Sequence, residues 1–256
     1  MIKGIFQGIG EMVELLWQTG RSLPLVFRHR EKIYRQFYEI GNASLLTVCI
    51  LSFFIGGVLT LQTGPVLSNR GLVNYVGGIV GYSMVRELAP VMMSILIAGR
   101  IGSAMASEIG SMQVFEEVAA LRSMNIDPIH YLVLPRMVAI AAALPMLVLF
   151  AVLAGWLGGA VIASVNHDIE VGPQVFFQQL REVVKMRDLL HGLFKTFVFA
   201  IFIGAISCHQ GFVTKGGPQG IGRSATRAVV FSIVTIVILD YALSRFLMLA
   251  EKSNAT

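Results

Sequence analysis

The chain has 256 residues, of which 55% are hydrophobic and 14% are charged, and its mean hydropathy is +0.72. Soluble domains carry about 25% charged residues on surfaces that face water, so this composition excludes a soluble globular protein and predicts a multi-pass membrane protein. The formal net charge of +5 comes without a basic stripe interleaved with aromatic residues, which argues against nucleic acid as a partner.

The first predicted element is an amphipathic helix. Apolar residues recur at helical spacing from Ile2 to Trp17, and polar residues fill the opposite face. This pattern is typical of a helix that lies in the membrane interface, and packing on a soluble partner is the alternative. We assign residues 1–41 to this interfacial helix and a basic elbow, and 42–256 to a transmembrane domain. The basic elbow, expected beside anionic headgroups, comprises Arg21, Arg28, Arg30, Lys32 and Arg35.

Five apolar runs then predict five transmembrane helices, so the expected fold is an all-α integral membrane protein. About 20 apolar residues suffice to cross a bilayer, and the second and third runs exceed that length. Pro90 and Pro145 are candidate bends, because proline cannot donate the interior helical hydrogen bond. Small residues at four-residue spacing, such as Gly77 and Gly81, predict closely packed helices. The predicted spans are Ala43–Leu61, Val76–Ala106, Pro135–Val165, Leu189–Phe212 and Ala225–Leu249.

The distribution of basic residues predicts an orientation, because Lys and Arg gather in cytoplasmic loops. More than half of them lie inside if the N-terminus is cytoplasmic, and the C-terminus is then outside. The connector after the second span is then cytoplasmic, with a helix at about 114–124 and a helix cap at Asp127-Pro128. The segment of about 166–188 is outside, with a short amphipathic helix from Gly172-Pro173 to Met186. Three basic residues on that outer side oppose the rule, namely Arg181, Lys185 and Arg187.

Charged residues inside the apolar runs are the strongest candidates for function. A charge at the bilayer centre costs ~2.5–3.5 kcal/mol on insertion scales, so it normally faces a cavity or a partner. Arg86 and Glu87 lie shortly before Pro90, and we interpret them as lining an internal, partly hydrated cavity. Structural ion pairs with other spans are the alternative. Further charges in or near the spans are Arg100, Glu108, Lys195 and Asp240.

Templates for catalysis and for nucleotide binding are not found in the sequence. Neither GxSxG nor HExxH occurs, and the glycine-rich stretch Gly211–Gly216 is followed by Gly217-Pro218 where a P-loop needs Lys and Ser or Thr. Cys49 and Cys208 lack metal-ligand spacing. We therefore predict a non-enzyme with no catalytic residue, no metal site and no cofactor.

Several motifs resemble the MlaE/YrbE permease family. The resemblance covers the chain from about residue 40 onward, and its most specific part runs from Arg86 to Arg136. The matching stretches are Arg86-Glu-Leu-Ala-Pro90, Ala98-Gly-Arg-Ile-Gly-Ser-Ala104, Ser107-Glu-Ile-Gly-Ser-Met112, Glu116-Glu117, Ala120-Leu-Arg-Ser-Met124, Asp127-Pro128, Pro135-Arg136 and the glycine-rich segment from Gly211 to Thr226.

The resemblance implies the permease subunit of an ABC transporter in the bacterial inner membrane, with a cytoplasmic N-terminus and a periplasmic C-terminus. Two copies would form a homodimer and join a cytoplasmic ABC ATPase, a periplasmic ring of MCE-domain subunits and often a small STAS-domain protein. The implied activity is movement of phospholipid or a related hydrophobic molecule between the inner membrane and the periplasm, a process linked to outer-membrane lipid asymmetry. The partner would hydrolyse ATP.

The resemblance also implies roles for individual residues. The stretch Glu116–Met124 matches the coupling helix that docks on the ATPase, with contacts from Glu116, Glu117, Leu121, Arg122 and Met124. Arg86 and Glu87 match a charged pair at the lipid cavity, where Arg86 would bind phosphate by charge-assisted hydrogen bonds. A lipid cavity needs apolar walls, which we expect from Leu61, Val66, Leu67, Tyr75, Val76, Leu88 and Met92.

Two other functions remain open on the sequence alone. A stand-alone, ion-coupled transporter would use Arg86, Glu87 and Asp240 as a relay, but five spans without an inverted repeat argue against it. The lack of an associated ATPase would favour that function. A structural anchor for a peripheral complex would leave the intramembrane charges without a purpose. Normal lipid traffic after neutralising Arg86 and Glu87 would favour the anchor.

Overall fold

The computed structural model describes residues 2–21, 30–166 and 169–253, with side chains from Gly10 to Ala250. Within these ranges the chain forms helices and no strand. Three π-helical segments, Met84–Leu88, Ala98–Gly102 and Ile129–Val133, interrupt or begin the longer helices. The α-helices are α1 (Ile2–Arg21), α2 (Arg30–Ser68), α3 (Val76–Ser83), α4 (Ala89–Ile97), α5 (Ser103–Val114), α6 (Glu117–Ser123), α7 (Leu134–Val165), α8 (Pro173–Val183), α9 (Met186–Phe212) and α10 (Gly217–Ser253).

Five helical stretches are long and apolar enough to cross a membrane, which confirms the predicted number and order of spans. The third stretch ends at Val165, as predicted. The first stretch begins at Arg30 and not at Ala43, because the polar turns before Ala43 are also helical. Arg35 forms an i,i+4 ion pair of 3.0 Å with Glu39 there. Arg28 of the basic elbow lies outside the described residues. The five stretches are Arg30–Ser68, Val73–Val114, Ile129–Val165, Met186–Phe212 and Gly217–Ala250.

The connecting segments differ from the prediction at their ends. The helix expected at about 114–124 is divided, because α5 continues to Val114 and Glu116 adopts a left-handed conformation with φ 61° before α6 begins. The helix expected to reach Met186 ends at Val183, since Val184 is extended. The predicted cap at Asp127 is confirmed, because its Oδ1 accepts a hydrogen bond of 2.9 Å from the backbone N–H of Ile129.

The chain packs as two compact units. The first unit comprises Met1–Gly41, Ser94–Leu144 and Phe197–Ser244. The second unit comprises Asn42–Met93, Pro145–Thr196 and Arg245–Thr256. The candidate functional residues divide between the two units.

The second unit is held together by close backbone contacts between helices. A Cβ atom added to Gly77 would overlap the backbone of Phe176 in α8, and one added to Gly158 in α7 would overlap the backbone of Phe53 in α2. Such contacts confirm the close packing that the small residues predict, and here they lie within one chain. The hydroxyl of Ser52 donates to the Ala151 carbonyl at 2.5 Å, which satisfies a buried polar group.

The first unit packs α1 against the π-helical segment Ile129–Val133. Leu15 of α1 is buried, while Val13 and Trp17 are exposed. The described part of α1 therefore has apolar side chains both inside the unit and available to a membrane surface. Glu11 Oε2 lies 3.1 Å from His209 Nε2, which ties α1 to the end of α9. The side chains of the first eight residues of α1 lie outside the described residues.

Candidate functional site

The candidate pair Arg86 and Glu87 lies in the second unit, in the π-helical segment that directly precedes Pro90. Pro90 has no N–H, so the Arg86 carbonyl four residues earlier lacks its usual helical donor. The start of α9 reaches this segment because Gly192 has no side chain, and a Cβ atom there would overlap the carbonyl oxygen of Val85. The sequence thus creates an irregular turn and brings another span against it.

Arg86 is buried and is neutralised by an acid of α9. Its Nη1 lies 3.4 Å from Asp188 Oδ1, and it also donates to the hydroxyl of Tyr82. Asp188 lies in the first turn of α9, where the helix dipole favours an acid, and its Oδ2 accepts from the backbone N–H of Lys185 at 3.0 Å. Asp188 therefore caps α9 and balances the charge of Arg86.

Glu87 pairs with the other buried base of this site. Lys195 Nζ donates to Glu87 Oε2 at 2.8 Å and to the Arg86 carbonyl at 3.2 Å. The lysine thereby supplies the hydrogen bond that Pro90 cannot make. The Lys195 side chain is 2% exposed and that of Glu87 is 42% exposed, so Glu87 is the more accessible end of this ion pair.

We call Arg86, Glu87, Asp188 and Lys195 the charged quartet. Two acids and two bases give it no formal net charge, which makes its burial in an apolar span tolerable. Arg86 and Glu87 thus form ion pairs with another span of the same chain, which is the structural alternative to a cavity lining. A role at a lipid cavity stays a prediction. Chemically, an arginine paired with one carboxylate can exchange it for a phosphate, because both anions accept two parallel hydrogen bonds from guanidinium.

The predicted cavity walls differ in accessibility. Leu61, Val66, Tyr75 and Met92 are exposed in the single chain, whereas Leu67 and Leu88 are half-buried. These six side chains are available to a lipid tail or to another protein surface. Val76 is fully buried, so it contributes to packing rather than to any surface of this chain.

The predicted coupling residues lie in the first unit, on and around α6. Val118 is buried and anchors the helix, and Glu116 and Asn125, both with positive φ, form sharp turns at its two ends. Leu121 is half-buried. The exposed side chains of the predicted set are Glu116, Glu117, Arg122 and Met124.

Sequence reasoning missed several residues at both places. Asp188 and Tyr82 had no assigned role, and Lys195 was noted only as an intramembrane charge. A lone lysine in one apolar run and a glutamate in another are the signal that indicates such a pair. Phe115 and Ile126 flank α6 as exposed apolar side chains, which their position in a polar connector could have indicated.

The other intramembrane charges have their own surroundings. Arg136 Nη2 lies 3.0 Å from Glu108 Oε2 in the first unit, with Arg136 largely buried. Asp240 is half-buried and Arg100 is exposed.

The sequence is similar to a known permease family and to several ABC transporter permease proteins. The family described as Permease MlaE matches residues 33–246, a range that includes the charged quartet and α6. A probable ABC transporter permease protein of Synechocystis sp. is 38% identical over 216 residues, covering 84% of this chain and 81% of that protein. The chloroplastic protein Trigalactosyldiacylglycerol 1 of Arabidopsis thaliana is 36% identical over 218 residues, 85% of this chain and 62% of that protein. A probable ABC transporter permease protein of Rickettsia typhi is 36% identical over 215 residues, covering 84% and 82%.

Proposed function

Because the chain belongs to the MlaE permease family, we propose that it is the permease subunit of an ABC transporter that moves phospholipid or a related hydrophobic molecule. Transport runs between the bacterial inner membrane and the periplasm, and a partner ATPase hydrolyses the ATP. The observation that supports the choice of substrate is the buried Arg86, which lies inside an apolar span beside the carboxylate of Asp188. A guanidinium group can bind a phosphate in place of a carboxylate. The Arabidopsis relative carries the name of a galactosylated diacylglycerol, which is also a lipid.

In this proposal Arg86 changes partner during transport. A lipid phosphate displaces Asp188 and takes two hydrogen bonds from the guanidinium, while the acyl chains lie against exposed apolar side chains such as Leu61, Tyr75 and Met92. The half-exposed carboxylate of Glu87 repels the phosphate and favours its release. Pairing with Asp188 and Lys195 keeps both charges neutralised when no lipid is bound.

The cytoplasmic ATPase docks on α6 in this proposal. The helix presents acidic residues beside exposed Phe115 and Met124, and it is fixed to the permease by the buried Val118. Apolar anchors surrounded by charged residues are typical of protein interfaces. We place this side in the cytoplasm with the N-terminus. The C-terminus and α8 then face the periplasm, where an MCE-domain ring joins the complex, and a STAS-domain protein is a further partner.

A second copy of the chain completes the transporter. Only 6% of the most apolar stretch of α10 is buried, against 33–50% in the other four spans. Closed two-fold pairing is the commonest way to cover such a surface. A face between two copies also offers more room for a double-tailed lipid than one chain alone.

Paired substitutions in the charged quartet test the role of Arg86. Arg86→Gln alone leaves Asp188 buried without its counter-charge, so it combines loss of transport with loss of stability. The double variant Arg86→Gln with Asp188→Asn removes both charges at once and is expected to reach normal membrane levels, bind the ATPase and still fail in ATP-driven lipid transfer between vesicles.

Asp188→Asn alone serves as the control, because it keeps Arg86: it should be less stable, since Arg86 loses its counter-charge, but it should still transfer lipid when activity is normalised to the inserted chain. Normal lipid transfer by the double variant would show that the pair is only structural and would remove Arg86 from the transport site. The partners are tested separately by purification in mild detergent, where we expect an ABC ATPase among the co-purifying chains. Its absence from an active preparation would favour an ion-coupled transporter.

A further inference from the structure

A groove between α7, α8 and the start of α9 adjoins the charged quartet, but none of the four quartet residues lines it. It belongs to the second unit and is an open groove with a volume of about 940 Å³, which is within the ~300–1,000 Å³ of small-molecule pockets. Apolar side chains, including those of Trp156, Phe177 and Leu189, share its lining with polar ones. The indole N–H of Trp156 donates to the Gly81 carbonyl at 3.4 Å. The groove therefore has several walls rather than one helix face.

Two exposed basic side chains, Arg181 and Lys185, also line this groove. Neither side chain forms an ion pair within residues 30–166 and 169–253. The acid of the lining, Glu182, accepts instead from the side-chain amides of Gln178 at 3.3 Å and Gln179 at 3.1 Å. The two bases are thus left for an anion from outside the chain.

The position of these bases in the chain needs an explanation. They lie between the third and fourth spans, on the side that the other basic residues predict to be outside, where Lys and Arg are disfavoured. Arg181 and Lys185 therefore do not serve orientation. Basic residues at a membrane surface attract anionic lipid headgroups, and tryptophan, here Trp156, is enriched at the membrane–water interface.

We propose that this groove binds an anionic phospholipid of the adjoining leaflet. Its phosphate lies between Arg181 and Lys185, and one acyl chain covers Trp156, Phe177 and Leu189. The site requires only that the third and fourth spans cross the membrane. It does not depend on the proposed transport activity, since binding needs neither ATP nor the partner ATPase.

The test uses the full chain in nanodiscs of phosphatidylcholine that contain a minor fraction of phosphatidylglycerol with a photoactivatable acyl chain. Labelled peptides are mapped by mass spectrometry. We expect labels at Trp156, Phe177 or Leu189, and an about fivefold loss of labelling for each of Arg181→Gln and Lys185→Gln. Arg187→Gln is the matched control, because it removes one charge from the same exposed segment outside the groove. It should leave the labelling unchanged.

Three results would overturn the proposal. The first is equal labelling of the control and the two groove variants. The second is labelling by a phosphatidylcholine probe as strong as that by phosphatidylglycerol, which would remove the role of the bases. The third is a Phe177→Cys variant that crosslinks in native membranes to another protein or to a second copy, which would show that protein fills the groove. Each is read without a transport assay, so failure here leaves the proposed function standing.

Discussion

Asp188 and Lys195 each neutralise one charge of the charged quartet, but removing them should destabilise the protein by different amounts. Asp188 is the acid beside the buried Arg86, whereas Lys195 holds a half-exposed Glu87 and one backbone carbonyl. Removing one partner of a buried ion pair costs about 3–5 kcal/mol. Leaving one buried carbonyl without a donor costs about 1–3 kcal/mol, and Glu87 is already half-exposed.

We therefore expect Asp188→Ala to lower the thermal stability of the purified protein more than Lys195→Met. Heating in detergent followed by size-exclusion chromatography gives the comparison. Lys215→Met is the control, because Lys215 is exposed and surface substitutions change stability by less than about 0.5 kcal/mol. A larger loss from Lys195→Met than from Asp188→Ala would contradict this ranking of the two ion pairs.

At the scale of elements, α6 is the segment whose role is tested most directly. Glu116 and Glu117 are exposed at its start, and we expect Glu116→Lys with Glu117→Lys to release the ATPase through charge reversal at the interface. A pull-down with the tagged permease measures the ATPase recovered, which should fall at least tenfold.

Glu31→Lys provides the control for α6, since Glu31 is an exposed acid in the first turn of α2. Both variants should insert in the membrane at normal levels. If the ATPase is recovered equally with both, α6 does not form the contact, and the exposed Phe115 and Met124 must serve another partner.

The elements show what hydropathy can predict. The number, order and apolar centres of the spans follow from long apolar runs, but the ends do not. The polar turns of α2 after Arg30 are helical through local pairs such as Arg35 with Glu39, which a hydropathy average does not register. The break at Glu116 requires a left-handed backbone conformation, which a glutamate does not indicate in the sequence. Asn125, at the other end of α6, has the same conformation, and asparagine is a residue type that favours it.

At the scale of the whole molecule, the exposed surface of α10 predicts contact between two copies. In a variant without Cys49 and Cys208, a cysteine at Val234 or Ile238 should form a disulfide-linked dimer in native membranes, because both positions are exposed. A cysteine at Ile236, which is fully buried in the chain, is the control and should stay monomeric.

The crosslinks are read as a shift from one chain to two on a non-reducing gel. An intact, active complex that contains one copy of the chain would refute the homodimer. Dimers that form equally at Ile236 would show that the disulfides report random collisions, so only the contrast between exposed and buried positions supports an interface.

The candidate site illustrates the limit of sequence reasoning for a whole molecule. Arg86 and Glu87 stand out because charges in an apolar run are costly, so the sequence predicts that they have partners. Which partners they have depends on how α9 packs against the second span. The contact relies on Gly192, and Asp188 looks like an ordinary loop acid until the packing is known.

The hydrogen bond from Lys195 to the Arg86 carbonyl also has a genetic consequence. Pro90→Ala would restore an N–H four residues after Arg86, which can take over that carbonyl and return the turn to an ordinary helix. A loss of stability caused by Lys195→Met should then be partly suppressed by Pro90→Ala in the same chain. Pro90→Ala alone should bring no gain in stability. A selection for revertants of a Lys195 mutant is therefore expected to return changes at codon 90. Residues 90 and 195 are far apart in sequence, but both concern the hydrogen bond to the Arg86 carbonyl.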